Sequence, residues 1–195
     1  ISIFSFIGIS LGVAVLIIVM SVMNGFRTEL INKIVGFNAH ITVSAYDKKI
    51  DLKNFQNKTL DLISENLILS NSSEAIIISE QNSKGVLLRG YLEKDFSKLD
   101  LINNKKFIEK NKKIEKNSIS IGKELSFNLN LDIGDNVTIM SSSGVETIIG
   151  NLPKQKTFIV TSIFESGLVD FDNNIIFVNL NTLEEFSNLS KSDRN

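Results

Sequence analysis

Cysteine is absent from this chain of 195 residues, and histidine and proline occur once each, as His40 and Pro153. Without cysteine the chain can form neither a disulfide framework nor a thiolate metal site, and it has no cysteine nucleophile. A single imidazole leaves little basis for histidine catalysis or for a histidine metal site. The net charge is −1 and both signs are interspersed, so the composition gives no indication of a nucleic-acid partner.

Sequence patterns of common enzyme classes are missing as well: there is no GxGxxG, no Walker A pattern and no GxSxG. Asp132 and Asp135 in "DIGD" supply too few oxygen ligands for a calcium loop, and the pattern predicts a turn. We interpret His40, which opens a predicted strand, as a structural residue. Four further carboxylates lie beside predicted helix starts or turns, where acidic residues are common: Glu93, Asp95, Asp170 and Asp172. We therefore expect no catalytic site, no metal and no cofactor.

Charge is absent from the first 26 residues. A helix over this segment would be about 39 Å long, which exceeds the roughly 30 Å hydrocarbon core of a bilayer. The apolar run is longer than the core of a signal peptide, and "SVMNGF" offers no small-x-small cleavage site. A buried helix of a soluble protein would carry a polar stripe, which this run lacks. The pattern predicts a transmembrane helix over residues 1–26.

The helical pattern continues beyond the apolar segment. Past Asn24, Phe26 and Leu30 belong to an apolar stripe with i, i+4 spacing, and charged residues accompany it. Gly36 is the expected stop signal. Residues 27–37 are therefore predicted to form an amphipathic stalk of about 15 Å that leaves the membrane as the same helix.

The remainder, residues 38–195, mixes strand-like and helix-like segments and predicts an α+β domain. Strands are predicted in "AHITVS", in a hairpin with its turn at Asn82 to Gly85, up to Met140, and in "KTFIVTSIFESG" and "NNIIFVNL". Helices are predicted in "LKNFQNKTLDLISENLI", "EKDFSKLDLI", Gly122 to Asn130, and "NTLEEFSNL", the last capped by Asn181 or Thr182. Because the chain begins at Ile1 and ends in "SKSDRN", we expect a longer protein and a domain incomplete at its C-terminal end.

One connection is unusually long. Between strands predicted to end near Met140 and to start near Thr157 lies "SSSGVETIIGNLPKQK", about sixteen residues where hairpin loops usually need two to five. It contains the only proline, Pro153, and its apolar residues include Ile148, Ile149 and Leu152. Apolar residues on a long protruding hairpin are typical of a binding surface, and a mobile surface hairpin is the alternative.

Three segments resemble a known family. "SFIGISLGVAVLIIVMSVMNGFRTELINKIVGFNAHITV", Ser5 to Val43, resembles the first span and stalk of the LolC/LolE family of lipoprotein-releasing permeases. "ISIGKELSFNLNLDIGDNVTIMS" and "LPKQKTFIVTSIFESGLVDFDNNIIFVNL" resemble the extracytoplasmic domain of that family in order and spacing. The resemblance covers nearly the whole chain and is loosest over about Asp47 to Asn117. It implies one N-terminal transmembrane helix with a stalk, followed by a mixed α/β MacB-like periplasmic domain.

The resemblance also implies a function. The protein would be a non-catalytic permease subunit of an ABC transporter, multi-pass in the bacterial inner membrane, with its soluble domain in the periplasm. Its partners would be a second permease subunit, in a homo- or heterodimer, and a cytoplasmic ABC ATPase. ATP-driven mechanotransmission would extract a lipoprotein and pass it to a periplasmic LolA-type chaperone. The alternatives are a MacB-like or FtsX-like permease with another cargo and a membrane-anchored extracytoplasmic sensor.

Residue roles follow from the resemblance at matching positions. The family's lipoprotein cavity is lined by the first span near the periplasmic surface, at positions that correspond to Val19, Val22 and Met23. The long connection falls where LolC carries a hook that grips the chaperone, and the descending arm of this hook would comprise Ile149, Gly150, Asn151, Leu152 and Pro153. An adjacent polar pad would comprise Gln155 and Lys156, with Thr138. The length of the hook and its proline favour a chaperone-binding or hybrid subunit.

Overall fold

The computed structural model describes residues 2–35, 41–43, 67–80, 82–99, 114–147 and 150–189. The chain divides into two units, Ile1–His40 and Ile41–Asn195, and each is described by itself. Gly36, His40 and the helix predicted in "LKNFQNKTLDLISENLI" lie outside the described residues. Of the strand predicted in "AHITVS", only 41–43 are described, and these residues have irregular backbone.

The first unit contains one long helix. Helix α1 comprises the 34 residues Ser2–Val35, about 51 Å at 1.5 Å per residue. The predicted continuation of the helix beyond Asn24 is confirmed: Thr28 Oγ1 donates a hydrogen bond to the Asn24 carbonyl at 2.9 Å, within an uninterrupted helix. The segment Ile3–Ile31 is long and apolar enough to cross a membrane, and none of it is buried in the protein. The helix therefore fits a transmembrane span.

The described residues of the second unit include six strands: β1 Ser70–Ile78, β2 Ser83–Tyr91, β3 Ser118–Gly122, β4 Asn136–Thr147, β5 Gly150–Phe164 and β6 Ile175–Asn179. The pairs β1–β2, β6–β3, β5–β4 and β4–β1 are antiparallel, whereas β2–β6 and β3–β5 are parallel. In the same described ranges, four short helices connect or follow these strands: α2 Glu93–Phe96, α3 Lys123–Leu129, α4 Val169–Asn174 and α5 Leu180–Ser187. The predicted α+β class is confirmed.

Two apolar clusters hold this unit together. The larger one collects alternate strand residues, such as Ile77, Ile139 and Phe158, together with Leu183 and Phe186 of α5. A strand places successive side chains on opposite faces, so the intervening residues form a second cluster. This second cluster is aromatic and comprises Tyr91, Phe96, Phe164, Phe171 and Phe177, with 4.9 Å between the ring centroids of Phe164 and Phe177.

The hairpin predicted from the two strand-like runs is confirmed as β1–β2, but its turn lies earlier. Ser83 and Gly85 pair with Ile78 and Ile76, and Ser79 N donates to the Asn82 carbonyl at 2.9 Å. The predicted turn at Asn82 to Gly85 is therefore wrong, because the polar "SKG" residues belong to β2. Pairing across the ladder satisfies their backbone, whatever their turn propensity.

Helix boundaries show the same influence of context. The helix predicted over Gly122 to Asn130 is confirmed as α3, with Asn130 in the left-handed C-cap conformation. Helix α5 is capped by the Asn179 side chain, which accepts from the Asn181 N–H at 3.1 Å, rather than by Asn181 or Thr182. The predicted "DIGD" turn is confirmed by a hydrogen bond from Asp135 N to the Asp132 carbonyl at 3.1 Å. Strand β3, of five residues, and helix α4, of six, were not predicted from the sequence.

Candidate functional site

The long connection predicted between two strands is itself strand. β4 runs on to Thr147 and β5 begins at Gly150, where strand ends near Met140 and Thr157 were predicted. Thr147 pairs with Gly150 and Gly144 pairs with Pro153, with a register shift between Met140 and Gly144. The predicted strand ends are therefore wrong. The serine run lacks the β-branched and aromatic residues typical of strands, but Ser141 pairs with Ala75 on β1, Gly144 pairs with Pro153 on β5, and the register shift accommodates the residues between them.

Ile148 and Ile149, which follow Thr147 and precede Gly150 in this hairpin, lie outside the described residues. Gly150 has a φ of +120°, in a region that favours glycine, and it opens the descending strand. Leu152 is 51% exposed and Pro153 is also exposed. Proline donates no backbone hydrogen bond, so its position also limits further strand pairing along β5.

Residues of the predicted pad project from opposite faces of β5. Gln155 lies with Thr157 on one face, where its Nε2 is 3.6 Å from Met140 Sδ and Thr157 pairs with Thr138. Lys156 lies on the other face, with its Nζ 5.6 Å from the ring centroid of Phe158. Successive strand residues alternate between faces, so the structure brings Gln155 and Thr138 together and separates Lys156 from them.

The face that carries Gln155 extends across three strands. On β1, Ile76 pairs with Met140 and Ile78 pairs with Thr138. Ile76 is 39% exposed, and Ile159, further along β5, is 47% exposed. This surface offers hydroxyl, amide and aliphatic groups, which suit hydrogen bonding and van der Waals contact with a partner rather than acid–base chemistry. Ile76 and Ile159 were not singled out from the sequence, and only their period of two could have indicated them.

The three residues predicted to contact lipoprotein lie on α1. Val19, Val22 and Met23 are spaced at i, i+3 and i+4, so they share one face of the helix. Their exposed fractions within the protein are 56%, 67% and 59%. This apolar face is available to an acyl chain, to bulk lipid or to another helix.

The chain from residue 2 to residue 194 matches the family described as the MacB-like periplasmic core domain. This chain belongs to the MacB-like periplasmic core domain family. Among named relatives, it is 30% identical over 192 residues to the lipoprotein-releasing system transmembrane protein LolC of Xylella fastidiosa (strain Temecula1 / ATCC 700964), covering 95% of this chain and 46% of the relative.

Two further LolC proteins are similar. The identity is 29% over 192 residues to that of Buchnera aphidicola subsp. Schizaphis graminum, covering 97% of this chain and 48% of the relative. It is 26% over 193 residues to that of Neisseria meningitidis serogroup B, covering 96% and 46%. The chain therefore spans about half the length of these relatives.

The carboxylates of this MacB-like domain serve structural contacts. Asp172 is buried, and both its oxygens accept from Ser166 N, at 2.9 and 3.0 Å. Burial raises the pKa of Asp172 above its ordinary value, the hydrogen bonds from Ser166 oppose that shift, and Glu165 adds to it. Glu165 in turn forms a salt bridge with Lys123 at 3.0 Å. These contacts fasten the loop before α4.

Other carboxylates considered in the sequence analysis also make contacts with residues close to them in the chain. Asp95 is buried and forms a salt bridge with Lys98 at 3.0 Å, and Asp135 Oδ2 accepts from Asp132 N at 2.8 Å. Among the residues that the structure describes, no group of three or more histidine, aspartate or glutamate side chains could hold a metal ion. The candidate site of this MacB-like domain is the β4–β5 hairpin, which carries the residues predicted from the sequence.

Proposed function

We propose that this chain forms part of a permease subunit of an ABC transporter that releases lipoproteins from the bacterial inner membrane. The observation that carries the proposal is the match of residues 2–194 to the MacB-like family, together with the named LolC relatives. Helix α1 supports it, because its apolar segment Ile3–Ile31 is entirely unburied within the protein. Such a surface is stable in lipid and costly in water.

The subunit itself is non-catalytic and works with several partners. A cytoplasmic ABC ATPase supplies the energy, and a second permease subunit, identical or homologous, completes the membrane part. Residues 1–26 span the membrane, residues 27–37 form the stalk, and residues 38–195 form the periplasmic domain. The protein crosses the membrane more than once over its full length, as a permease requires; its LolC relatives are about twice as long as this chain.

Lipoprotein cargo contacts the last turns of the apolar segment of α1. The face of Val19, Val22 and Met23 is aliphatic and exposed within the protein. Acyl chains are recognised by apolar surface without directional bonds, so a face of branched and thioether side chains suits them. The two β-branched valines are stiff, whereas Met23 is flexible and adapts to chains of different shape.

A periplasmic LolA-type chaperone binds the hairpin. The descending arm, Ile149 to Pro153, offers an apolar contact, and Leu152 is 51% exposed on it. Gln155 contributes hydrogen-bonding groups on one face and Lys156 a charge on the other. An apolar anchor flanked by polar groups is the usual composition of a protein interface.

Mechanotransmission passes through α1. The helix is continuous through Asn24 and Gly25, so the apolar segment and the charged segment that follows belong to one element. A rigid helix transmits displacement along its axis, whereas a flexible linker between the same segments would absorb it.

Site-specific photocrosslinking in the full-length protein in cells tests the proposal. A benzophenone side chain at Leu152 should capture the LolA-type chaperone, and one at Met23 should capture lipoprotein. Matched controls are Phe127, 83% exposed on α3, and Ile7, 56% exposed at the other end of the span. Capture of neither ligand at Leu152 or Met23, or equal capture at the controls, would contradict the proposal.

A further inference from the structure

The β4–β5 hairpin is tied to helix α5 by one side chain. Lys154 Nζ donates to the main-chain carbonyl of Glu185 at 3.1 Å and to Asn188 Oδ1. Both acceptors lie at the C-terminal end of α5, where the last carbonyls lack partners within the helix and the helix dipole is negative. A lysine ammonium group therefore meets two complementary acceptors there.

Helix α5 is packed into the core of the domain, so it can fix the position of the Lys154 side chain. Leu183 is 1% exposed and Phe186 is 5% exposed, and both belong to the main apolar cluster. The Phe186 ring meets the Phe158 ring edge-on at 6.0 Å between centroids. A close-packed helix of this kind resists displacement, so a contact to its end defines a position in the domain.

The hairpin arm, which comprises residues 142–147 of β4 and 150–158 of β5, needs a contact that fixes its position. β4 pairs with β1 only up to Ser141, and β5 pairs with β3 only from Ile159 onward. Beyond these points, the described residues of the hairpin pair only between β4 and β5. On the β4 side, Ser142 Oγ donates to the Glu74 carbonyl at 2.9 Å. Lys154 supplies the corresponding tie on the β5 side. A two-stranded ribbon is otherwise a marginal structure in water.

We propose that Lys154 is a positioning residue that holds the arm of the hairpin in one orientation, ready for its partner. Lys154 lies on the same face of β5 as Lys156 and Phe158, the face that packs toward α5, so it need not touch the partner itself. The tie lowers the conformational entropy that the free hairpin would lose on binding. The identity of that partner as a chaperone rests on the proposed function, whereas the tie rests on the contacts of Lys154 alone.

Distance measurements between two spin labels test the orientation directly. The chain has no cysteine, so Leu152→Cys on the hairpin and Lys116→Cys on the domain body place the labels in the full-length protein in nanodiscs, with cysteines elsewhere replaced. With Lys154 unchanged, the distance between the two labels should have one narrow distribution. Lys154→Met should broaden it, Lys154→Arg should keep it narrow, and Asn188→Gly should broaden it less, because the Glu185 carbonyl remains and glycine tolerates the φ of +54° at this position.

A matched control and a stability measurement separate positioning from folding. Lys84→Met removes a lysine from β2 and should leave the distribution narrow. The thermal midpoint of Lys154→Met should stay within about 2 °C of wild type, because exposed hydrogen bonds from one lysine to uncharged acceptors, which water can replace, contribute little to stability. A Lys154→Met variant with an unchanged narrow distribution would overturn the proposal.

Titration with purified LolA-type chaperone adds the functional readout, without labels or substitution at Leu152. If the oriented hairpin becomes one-tenth of the population, Kd rises about tenfold for Lys154→Met and stays within about twofold for Lys154→Arg. Equal affinity of wild type and Lys154→Met would overturn the positioning role. If wild type binds no chaperone while Lys154→Met broadens the distance distribution, the tie is supported and the chaperone assignment alone fails.

Discussion

Gly122 packs so closely on Asp172 that a Cβ at residue 122 would lie 2.0 Å from the Asp172 main-chain carbonyl oxygen. The contact joins the end of β3, where Gly122 is also the N-cap residue of α3, to helix α4. Because the obstacle is backbone rather than a flexible side chain, the two elements must separate to accept any larger residue.

Gly122→Ala should therefore reduce the free energy of unfolding by about 3 kcal/mol. The matched control is Gly85→Ala on β2, where a Cβ would meet no atom within 4 Å and where the change should be neutral or stabilising by about 0.5 kcal/mol. Chemical denaturation of both variants measures the difference. Equal stability of the two would show that β3 and α4 are not in this contact.

The buried carboxyl of Asp172 makes stability depend on pH. Burial is the main cause that raises the pKa of Asp172 in the folded state. At a pH above the ordinary pKa of an aspartate, this carboxyl therefore binds more protons in the folded state than in the unfolded state. The contribution of the protonated Asp172 carboxyl to folding stability is complete below the unfolded pKa of about 4, and it is lost as pH rises through the folded pKa. Wild type should therefore lose stability relative to Asp172→Asn as pH rises from about 4.

Denaturant unfolding of wild type and Asp172→Asn across that range checks the sign. Asp170→Asn, exposed on the same helix, controls for the loss of one carboxylate. A stability difference that is constant with pH, or that grows in favour of wild type as pH rises, would contradict the expected linkage.

The third prediction concerns the continuity of helix α1 at Gly25. Gly25→Pro removes the backbone donor and places the ring against the preceding turn, which costs about 3 kcal/mol in a helix interior and kinks or breaks it. Gly25→Ala is the matched control, because a Cβ there meets no atom within 4 Å. The proline variant should still insert in the membrane but lose most lipoprotein release, whereas the alanine variant should retain it.

Release of a radiolabelled lipoprotein from spheroplasts, together with membrane fractionation, measures both properties. Normal release by Gly25→Pro would argue against mechanical transmission through α1. Loss of release by both variants would instead indicate that the glycine itself is required.

Local pattern was sufficient for several features of this chain. The charge-free run and the period beyond Asn24 predicted one helix through the Asn-Gly pair, and Ser2–Val35 is that helix. The helix around Leu125 and the turn at Asp132 also follow from short-range signals, namely apolar spacing and turn chemistry. Such features depend on residues within a few positions of one another, which is why they can be read along the chain.

The hairpin shows where local reading failed. The run Ser141 to Gly144 has weak strand propensity, yet it lies in β4 because Ser141 pairs with Ala75 on β1 and Gly144 pairs with Pro153 on β5. Likewise, Asn179 rather than Asn181 caps α5, since the end of the parallel strand β6 fixes where the helix begins. Both outcomes depend on residues that only the folded chain brings together.

The sequence by itself determined the apolar helix, the α+β class and the absence of cysteine chemistry, because composition and short-range periodicity are sufficient for these. Tertiary structure alone decided that Gln155 and Lys156 face opposite ways within one paired ladder. It also decided that Lys154 reaches the end of α5, 31 residues further along the chain. Strand pairing and helix packing set these relationships, and neither leaves a signature in adjacent letters of the sequence.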